Sequence, residues 1–310
     1  MLHKTDSSTA NWAGPTVEAG PIRVVISTLQ QYLKLSKLRI ATLIVISTGV
    51  GYYFGQTTGF YAGRFLNALI GTALMAAGSA ALNQWLERDI DCRMNRTRHR
   101  PIPSGTLSAT HALIFGIAVS VVGFVELFFW SNPLAAGLSL ATLVGYVFLY
   151  TPLKRVSPIC TTIGAIPGAV PPLIGFAAAA GHLSVEAWIL FGILFFWQFP
   201  HFHAIAWMYR EDYDRGGIKM LAVVNPDALG GRILLTLLCL IPITLAPAWV
   251  HMAGSVYFIS AIALGLGFLY FGARMARKRT YVDARRLLLA SVVYLPLLFA
   301  VLVLDKPTTP

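Results

Sequence analysis

Nine apolar stretches of span length constrain the fold of this chain more than any other feature. A helix needs roughly 20 apolar residues to cross a bilayer, and a crossing must satisfy its own backbone hydrogen bonds. Of the 310 residues, 56% are hydrophobic and only 12% are charged, which excludes an ordinary soluble domain. The sequence predicts an all-α polytopic membrane protein. Its nine helices are expected at about 38–56, 65–85, 107–130, 133–151, 159–180, 185–206, 230–250, 254–273 and 286–304.

The distribution of basic residues predicts the orientation. Among the 24 Lys and Arg residues, only Arg64 and Lys306 fall opposite the loop that contains Arg93–Arg100. The positive-inside rule therefore places that loop and the amino terminus in the cytoplasm, and the carboxyl terminus outside. Topology and phosphate chemistry explain the net charge of +11 better than a nucleic-acid partner does.

The chain divides by composition into a membrane domain and two short tails. We expect residues 1–33 to form a cytoplasmic tail that is partly disordered, because residues 1–20 are polar and rich in small residues. Those residues also lack the apolar core of a cleavable signal. Residues 34–304 form the membrane domain, and 305–310 a short carboxyl-terminal tail.

An oxygen-rich stripe is predicted at the end of the second apolar stretch. At about 100° per residue, Asn83, Glu87 and Asp91 fall on one helix face, whereas Asp89 points elsewhere. Oxygen ligands of this kind suit Mg²⁺, which is usually held by a few carboxylates together with substrate phosphates. The arginines that follow, from Arg93 to Arg100, are suited to phosphate oxygens. The pattern predicts a metal and diphosphate site at a membrane boundary.

A plainer interpretation of this region stays open. Arginines after a membrane helix can serve only to fix topology, and nearby acids can merely offset their charge. The Asn83/Glu87/Asp91 stripe favours a functional role more strongly, because charged groups at the end of a membrane helix are costly when they have no use.

A second polar cluster follows the sixth apolar stretch on the same predicted face. Glu211, Asp212 and Asp214 lie there among basic residues that extend to Lys219. Acids at the ends of two helices could share metal ions and bind a leaving diphosphate. A solvated helix end explains this second cluster equally well. Lys154 and Arg155 form a third basic site on this face.

Two further features lie inside the membrane segments. The glycines and prolines from Gly164 to Gly175 predict a broken or kinked helix that lines a cavity or packs within protein. His201 and His203 are two residues apart, so on a helix they project in nearly opposite directions. Either could coordinate the iron of a porphyrin, although a buried histidine is more often simply hydrogen-bonded.

The motifs resemble a known group of membrane enzymes. Asn83-x-x-x-Glu87-x-x-x-Asp91 resembles the first Asp-rich motif of the UbiA superfamily of intramembrane prenyltransferases. Within that superfamily the chain resembles the protoheme IX farnesyltransferase family. The motifs that carry this likeness are Asp89–Pro101, Tyr150–Arg155, Gly164–Gly175, Trp197–His203 and Tyr209–Tyr213. One departure is that neither Asp212 nor Asp214 has the second acid, four residues away, that is common in the superfamily's second motif.

The resemblance implies a nine-helix bundle whose central cavity faces the cytoplasm, in a bacterial inner membrane. It implies farnesyl transfer from farnesyl diphosphate to a vinyl group of haem B, with water addition, to give haem O. The implied cofactor is Mg²⁺, and a haem A synthase is a candidate partner for the product. The implied catalytic residues are Asn83, Glu87, Asp91 and Asp212, with Asp214 as a further metal ligand.

The resemblance also implies substrate contacts. The diphosphate ligands are expected to be Arg39, Arg96, Arg98, Lys154, Arg155 and Lys219, and the haem ligand to be His201 or His203. Two rival functions stay open. Another UbiA-type enzyme, acting on a quinone precursor or a chlorin, would share the metal site but not the histidine pair. A transporter could also have broken helices and midplane polar groups.

Overall fold

The computed structural model describes residues 21–56 and 59–307, and these residues contain helices but no strand. The first group of helices is α1 (Pro21–Leu35), α2 (Leu38–Gly55), α3 (Ala62–Asp91), α4 (Ala109–Trp130), α5 (Pro133–Val144), a π-helical turn (Gly145–Tyr150), α6 (Thr151–Leu153), α7 (Cys160–Ala169) and α8 (Pro171–Ala180). The second group is α9 (Val185–Met208), α10 (Arg210–Arg215), α11 (Leu221–Val224), α12 (Ala228–Trp249), α13 (Ser255–Lys278) and α14 (Tyr281–Leu304).

Within the described residues, nine segments are long and apolar enough to cross a membrane, as the sequence predicts. Two of them are composite, Pro133–Leu153 and Cys160–Ala180. The largest departure from the predicted ends is α3, which has 30 residues. A helix of that length measures about 45 Å and exceeds the hydrocarbon core of roughly 30 Å. Its final turns therefore carry the polar stripe to the membrane boundary.

Close helix contacts explain several glycines. A Cβ built on Gly51 would overlap the carbonyl oxygen of Pro172, and one on Gly175 would overlap that of Thr48. Helices α2 and α8 therefore touch backbone to backbone, which small residues permit in membranes. Between α3 and α4, a Cβ on Gly78 would lie 2.8 Å from the carbonyl oxygen of Gly116, and one on Gly116 would lie 2.9 Å from Cγ of Leu82.

The predicted break in the Gly/Pro segment is confirmed. Helix α7 ends at Ala169 and α8 begins at Pro171, with Val170 between them. The segment is largely buried, and Gly168 packs directly against the side chain of Gln198 on α9. Its irregular backbone lies within protein, where it costs least.

Most of helix α1 lies within the segment that the sequence predicts as a partly disordered tail. Its last residue, Leu35, is fully buried and packs with Ala81, Leu107 and Ala112. The carbonyl of Leu35 also accepts a hydrogen bond of 2.7 Å from Nε2 of Gln84 on α3. Helix α1 is thereby fixed beside the end of α3. The disorder predicted for residues 1–20 lies outside the described residues.

The connections that follow α1, α3, α6, α9 and α13 meet at one end of the bundle, which we call the basic end. The backbone N–H of Lys219 donates to the carbonyl of Lys154 at 2.7 Å, and that of Asn95 donates to Oδ1 of Asp212 at 3.2 Å. Residues far apart in the sequence thus form one surface at this end.

Candidate functional site

The predicted stripe on α3 forms the centre of a buried polar cluster. Asn83, Glu87 and Asp91 are 1%, 5% and 0% exposed, whereas the side chain of Asp89 is 80% exposed. The helical spacing argument is therefore confirmed for all four positions. Such burial requires partners, because an unpaired polar group away from water is costly.

Each of the three stripe residues is bound by a different cation. Nζ of Lys37 donates to Oδ1 of Asn83 at 3.0 Å. Nζ of Lys154 lies 2.8 Å from Oε1 of Glu87. Nη1 of Arg100 lies 2.7 Å from Oδ2 of Asp91. Three cations thus surround two carboxylates and one amide, which leaves a formal excess of positive charge if all of them are ionised.

Lys37 reaches the stripe from a strained turn. It connects α1 to α2 with φ of 49°, which is uncommon for a residue other than glycine. Burial, together with the nearby charge of Arg100, lowers the pKa of Lys37 to about 7. The turn therefore costs free energy and directs a cation toward Asn83.

A π-helical turn positions the residues that face α3 from the fourth span. Thr151, at its end, donates to the carbonyl of Tyr146 at 2.8 Å and accepts from Nδ2 of Asn83 at 3.1 Å. One turn later, Nζ of Lys154 lies 4.3 Å from the ring centroid of Tyr150. The rings of Tyr146 and Tyr150 contact each other, with centroids 5.2 Å apart. Such local π-helical geometry is frequent at functional sites.

Glu87 determines the ionisation of Lys154. Burial alone would lower the pKa of this lysine, but the Glu87 carboxylate and its hydrogen bond raise it well above the ordinary value. Lys154 is therefore charged at neutral pH, and its pairing with Glu87 offsets part of the cost of burying both charges.

Asp91 retains an unused oxygen. Arg100 occupies Oδ2, and the hydroxyl of Thr97 donates to the Asp91 carbonyl at 3.0 Å. Oδ1 is buried and has no hydrogen-bond partner within the described residues. A buried carboxylate oxygen without a partner is unusual. Together with the oxygen-only donor set, it fits a hard divalent cation that would be held by Asn83, Glu87 and Asp91.

The second acidic cluster does not join the stripe in the described structure. Asp212 accepts hydrogen bonds from the backbone N–H groups of Asn95 and Arg96, and it pairs with Arg215. Although burial opposes ionisation, these donors hold the pKa of Asp212 below its usual value. Asp214 is exposed, and no three His, Cys, Asp or Glu side chains converge to hold a metal anywhere in the described ranges. The metal roles of Asp212 and Asp214 stay predictions.

Only one of the six predicted diphosphate ligands is buried. That residue is Lys154, whereas the other five are exposed at the basic end: Arg39, Arg96, Arg98, Arg155 and Lys219. Arg96 is held firmly, with its guanidinium 4.8 and 5.1 Å from the rings of Tyr209 and Tyr213. Arg96 therefore anchors the connection between α3 and α4 to these two tyrosines, in addition to any contact it makes with an anion.

The two histidine side chains lie in different surroundings, as their spacing predicts. Nδ1 of His201 lies 2.8 Å from Oγ of Ser291, whose own hydroxyl donates to the carbonyl of Leu288. His201 must then donate through Nδ1, which leaves Nε2 with a free lone pair. His203 is 3% exposed, and its Nε2 has no partner in the described part of the chain. Both imidazoles are therefore chemically able to ligate iron.

Sequence reasoning does not identify Lys37 or Thr151 as residues of the cluster. It includes Arg100 among the arginines suited to phosphate oxygens, but it does not indicate that Arg100 pairs with Asp91. The spacing of Arg100 from Asp91 gives no helical register, because a turn-rich loop separates them. Only the coincidence of basic residues with the end of α3 could have indicated their roles.

Comparison with known proteins identifies the family to which the chain belongs. Residues 44–300 match the UbiA prenyltransferase family. The chain is 52% identical to a protoheme IX farnesyltransferase of Solibacter usitatus, over 90% of this chain and 99% of the relative. It is 44% identical to a protein of the same name from Koribacter versatilis, over 91% of this chain and 95% of that relative.

Solved structures share the fold at low identity. A digeranylgeranylglyceryl phosphate synthase superposes with a TM-score of 0.76 at 16% identity, over 90% of this chain and 98% of that one. A UbiA homologue from Archaeoglobus fulgidus, bound to GPP and Mg²⁺, gives a TM-score of 0.62 at 18% identity, over 88% and 99%. The chain is therefore a multi-pass membrane prenyltransferase of the UbiA family, and within that family it belongs with the protoheme IX farnesyltransferases.

Proposed function

We propose that the chain transfers the farnesyl group of farnesyl diphosphate to a vinyl group of haem B, giving haem O and diphosphate. The observation that carries the proposal is the buried cluster of Asn83, Glu87 and Asp91 interlocked with Lys37, Lys154 and Arg100. A site in which three basic side chains face two carboxylates, with one carboxylate oxygen free, suits a diphosphate that arrives with a divalent metal.

Mg²⁺, when bound, would neutralise charge on the leaving diphosphate. Lys37, Lys154 and Arg100 would exchange part of their contacts with the acids for contacts with phosphate oxygens. As the allylic C–O bond breaks, its electron pair leaves with the diphosphate, and these cations stabilise that charge. The cluster acts mainly by binding and electrostatics and needs no covalent intermediate.

The aromatic pair of Tyr146 and Tyr150 would protect the reactive cation. Aromatic faces attract positive charge, and Tyr150 already contacts the ammonium of Lys154. The vinyl π electrons then form a bond to the allylic carbon. Water adds to the resulting cation beside the porphyrin and loses a proton, leaving a hydroxyethylfarnesyl group.

His201 and His203 remain the candidates for holding haem, since each has a free Nε2. Within this proposal the central cavity opens toward the cytoplasm at the basic end, the protein lies in a bacterial inner membrane, and a haem A synthase is a candidate recipient of the product. Asp212 fixes the backbone at Asn95 and Arg96, and its direct use as a metal ligand belongs to the proposal as well.

Product analysis tests the function directly. Purified protein is incubated with haem B, farnesyl diphosphate and Mg²⁺. The porphyrins are then separated, and their masses are measured by mass spectrometry. We expect a product heavier than haem B by one farnesyl and one hydroxyl group. Parallel reactions offer a hydroxybenzoate or a chlorin as acceptor. Prenylation of one of these, with haem B unchanged, would contradict the proposal.

A further inference from the structure

A cavity lies at the basic end of the bundle. It has a volume of about 470 Å³ and lies between the end of α9, helix α10 and the turn from α13 to α14. We call it the arginine cleft, and its principal lining residues are Trp207, Tyr209, Arg210, Arg215, Arg279 and Tyr281. Its size is within the range of small-molecule sites.

The charges in the arginine cleft favour an anion. Glu211 and Asp212 also line it, but the Asp212 carboxylate already accepts two backbone N–H groups and pairs with Arg215. Arg279 contacts Asp227, an acid whose side chain is 88% exposed and which does not line the cleft. Among the described residues, Arg210 has no carboxylate partner. Three guanidinium groups therefore line the cleft against two carboxylates.

Aromatic side chains accompany these arginines. The guanidinium of Arg210 lies 4.8 Å from the ring centroid of Trp207, and Tyr209 and Tyr281 complete the aromatic lining. Arginine beside aromatic rings suits an anionic group attached to a flat, apolar body. A small inorganic anion would make no use of the aromatic surface.

The cleft continues the helix face that carries His203. Trp207 follows His203 by four residues on α9, so the two side chains share a face about 6 Å apart along the axis. His203 has an unpartnered Nε2. A porphyrin whose iron lies near that imidazole would direct one edge toward the arginines.

We propose that the arginine cleft binds the paired propionate carboxylates of haem, with Arg210 and Arg279 as the principal ligands. This inference rests on the proposed function, because it identifies the part of the acceptor substrate that the cleft recognises. Binding there leaves the apolar body of the porphyrin directed toward the membrane interior. The opposite, vinyl-bearing edge of haem is then free to meet the farnesyl group.

The test combines a change in the substrate with a change in the protein. Activity and equilibrium binding are measured with haem B and with its dimethyl ester, which lacks the propionate charges. For the unchanged protein we expect the ester to bind at least about fivefold more weakly, the upper range for one exposed ion pair. Arg210→Gln and Arg279→Gln should weaken haem binding by a similar factor and reduce the difference between haem and ester.

Arg277→Gln is the matched control, since Arg277 is an exposed arginine near the same turn that does not line the cleft. This variant should keep the full difference in binding affinity between haem and its dimethyl ester. The KM for farnesyl diphosphate should be unchanged in all three variants, which also shows that they fold.

Three results would overturn the proposal. The ester could bind as tightly as haem does. Alternatively, Arg277→Gln could reduce the difference in affinity between haem and ester as much as the cleft variants do. The cleft variants could also keep the ester difference but change the dependence of activity on anionic phospholipid, which would indicate a lipid headgroup site. Failure of the proposed function is distinguishable, because haem B would then give no farnesylated product with the unchanged protein.

Discussion

At the scale of single residues, the site consists of buried polar groups that stabilise one another in pairs. Glu87 and Lys154 are both buried, and the ammonium lies 2.8 Å from the carboxylate. Removing one partner of such a pair leaves an uncompensated charge, which typically costs about 3–5 kcal/mol. Replacing both by neutral groups removes that cost but also removes the anion-binding charge.

The first prediction concerns this pair. Lys154→Met should lower the free energy of unfolding by roughly 3–5 kcal/mol, and Glu87→Gln/Lys154→Met should recover most of that loss. Neither protein should form product. Thermal denaturation in detergent and the product assay check the two parts. A double variant no more stable than Lys154→Met, or one with normal activity, would contradict the assigned role of the pair.

The second prediction separates two arginines of one loop. Arg100 contacts Asp91 inside the cluster, whereas Arg98 is exposed and its Nε donates to His99. Arg98→Ala should raise the KM for farnesyl diphosphate more than that for haem B, and Arg100→Gln should do so more strongly. Steady-state kinetics with each substrate varied in turn provides the comparison. Equal effects on both substrates would assign Arg98 to topology alone.

At the scale of the helices, the sequence was informative about crossings and less so about their details. Span-length apolar runs predicted all nine crossings because the bilayer imposes length and composition directly. The sequence did not indicate α1, because the position of this helix depends on the buried Leu35 and on a hydrogen bond from Gln84. The π-helical turn was also missed, since its formation depends on partners such as Asn83 on another helix.

The third prediction tests the backbone contact between α2 and α8. Gly175→Ala should destabilise the protein by about 1–3 kcal/mol, the usual cost of overpacking, because its Cβ would meet the carbonyl of Thr48. Gly137→Ala is the control, since nothing lies within 4 Å of its built Cβ. Apparent melting temperatures in detergent test both. An unchanged melting temperature for Gly175→Ala would show that α2 and α8 can move apart without loss of stability.

At the scale of the whole molecule, the charge pattern predicts the orientation, and labelling can test it. Cys92 is exposed at the basic end, whereas Cys160 is buried. A membrane-impermeant thiol reagent should label Cys92 in inside-out vesicles and not in intact cells. Cys92→Ser/Arg64→Cys should show the opposite pattern, because Arg64 is exposed on the other side. Labelling of Cys92 in intact cells would reverse the predicted topology.

The extent to which the site could be predicted also depends on the whole molecule. Helical spacing alone identified Asn83, Glu87 and Asp91, because one helix carries all three. The cations that bind them come from three different connections, and only the folded chain brings Lys37, Lys154 and Arg100 to one place. Asp212 resembled a metal ligand in the sequence, yet its carboxylate fixes the Asn95–Arg96 backbone, a contact that no local pattern indicates.

The most direct test of the account compares two aspartates of the same helical turn. Asp91→Asn removes the buried carboxylate with the free oxygen, whereas Asp89→Asn alters an exposed neighbour. Haem O formation is measured at saturating substrates and over a range of Mg²⁺ concentrations. Asp91→Asn should lower the rate by more than about a hundredfold, beyond the usual effect of an outer-shell change, and Asp89→Asn should leave it nearly unchanged. Normal haem O formation by a folded Asp91→Asn protein at limiting Mg²⁺ would contradict the metal and diphosphate site.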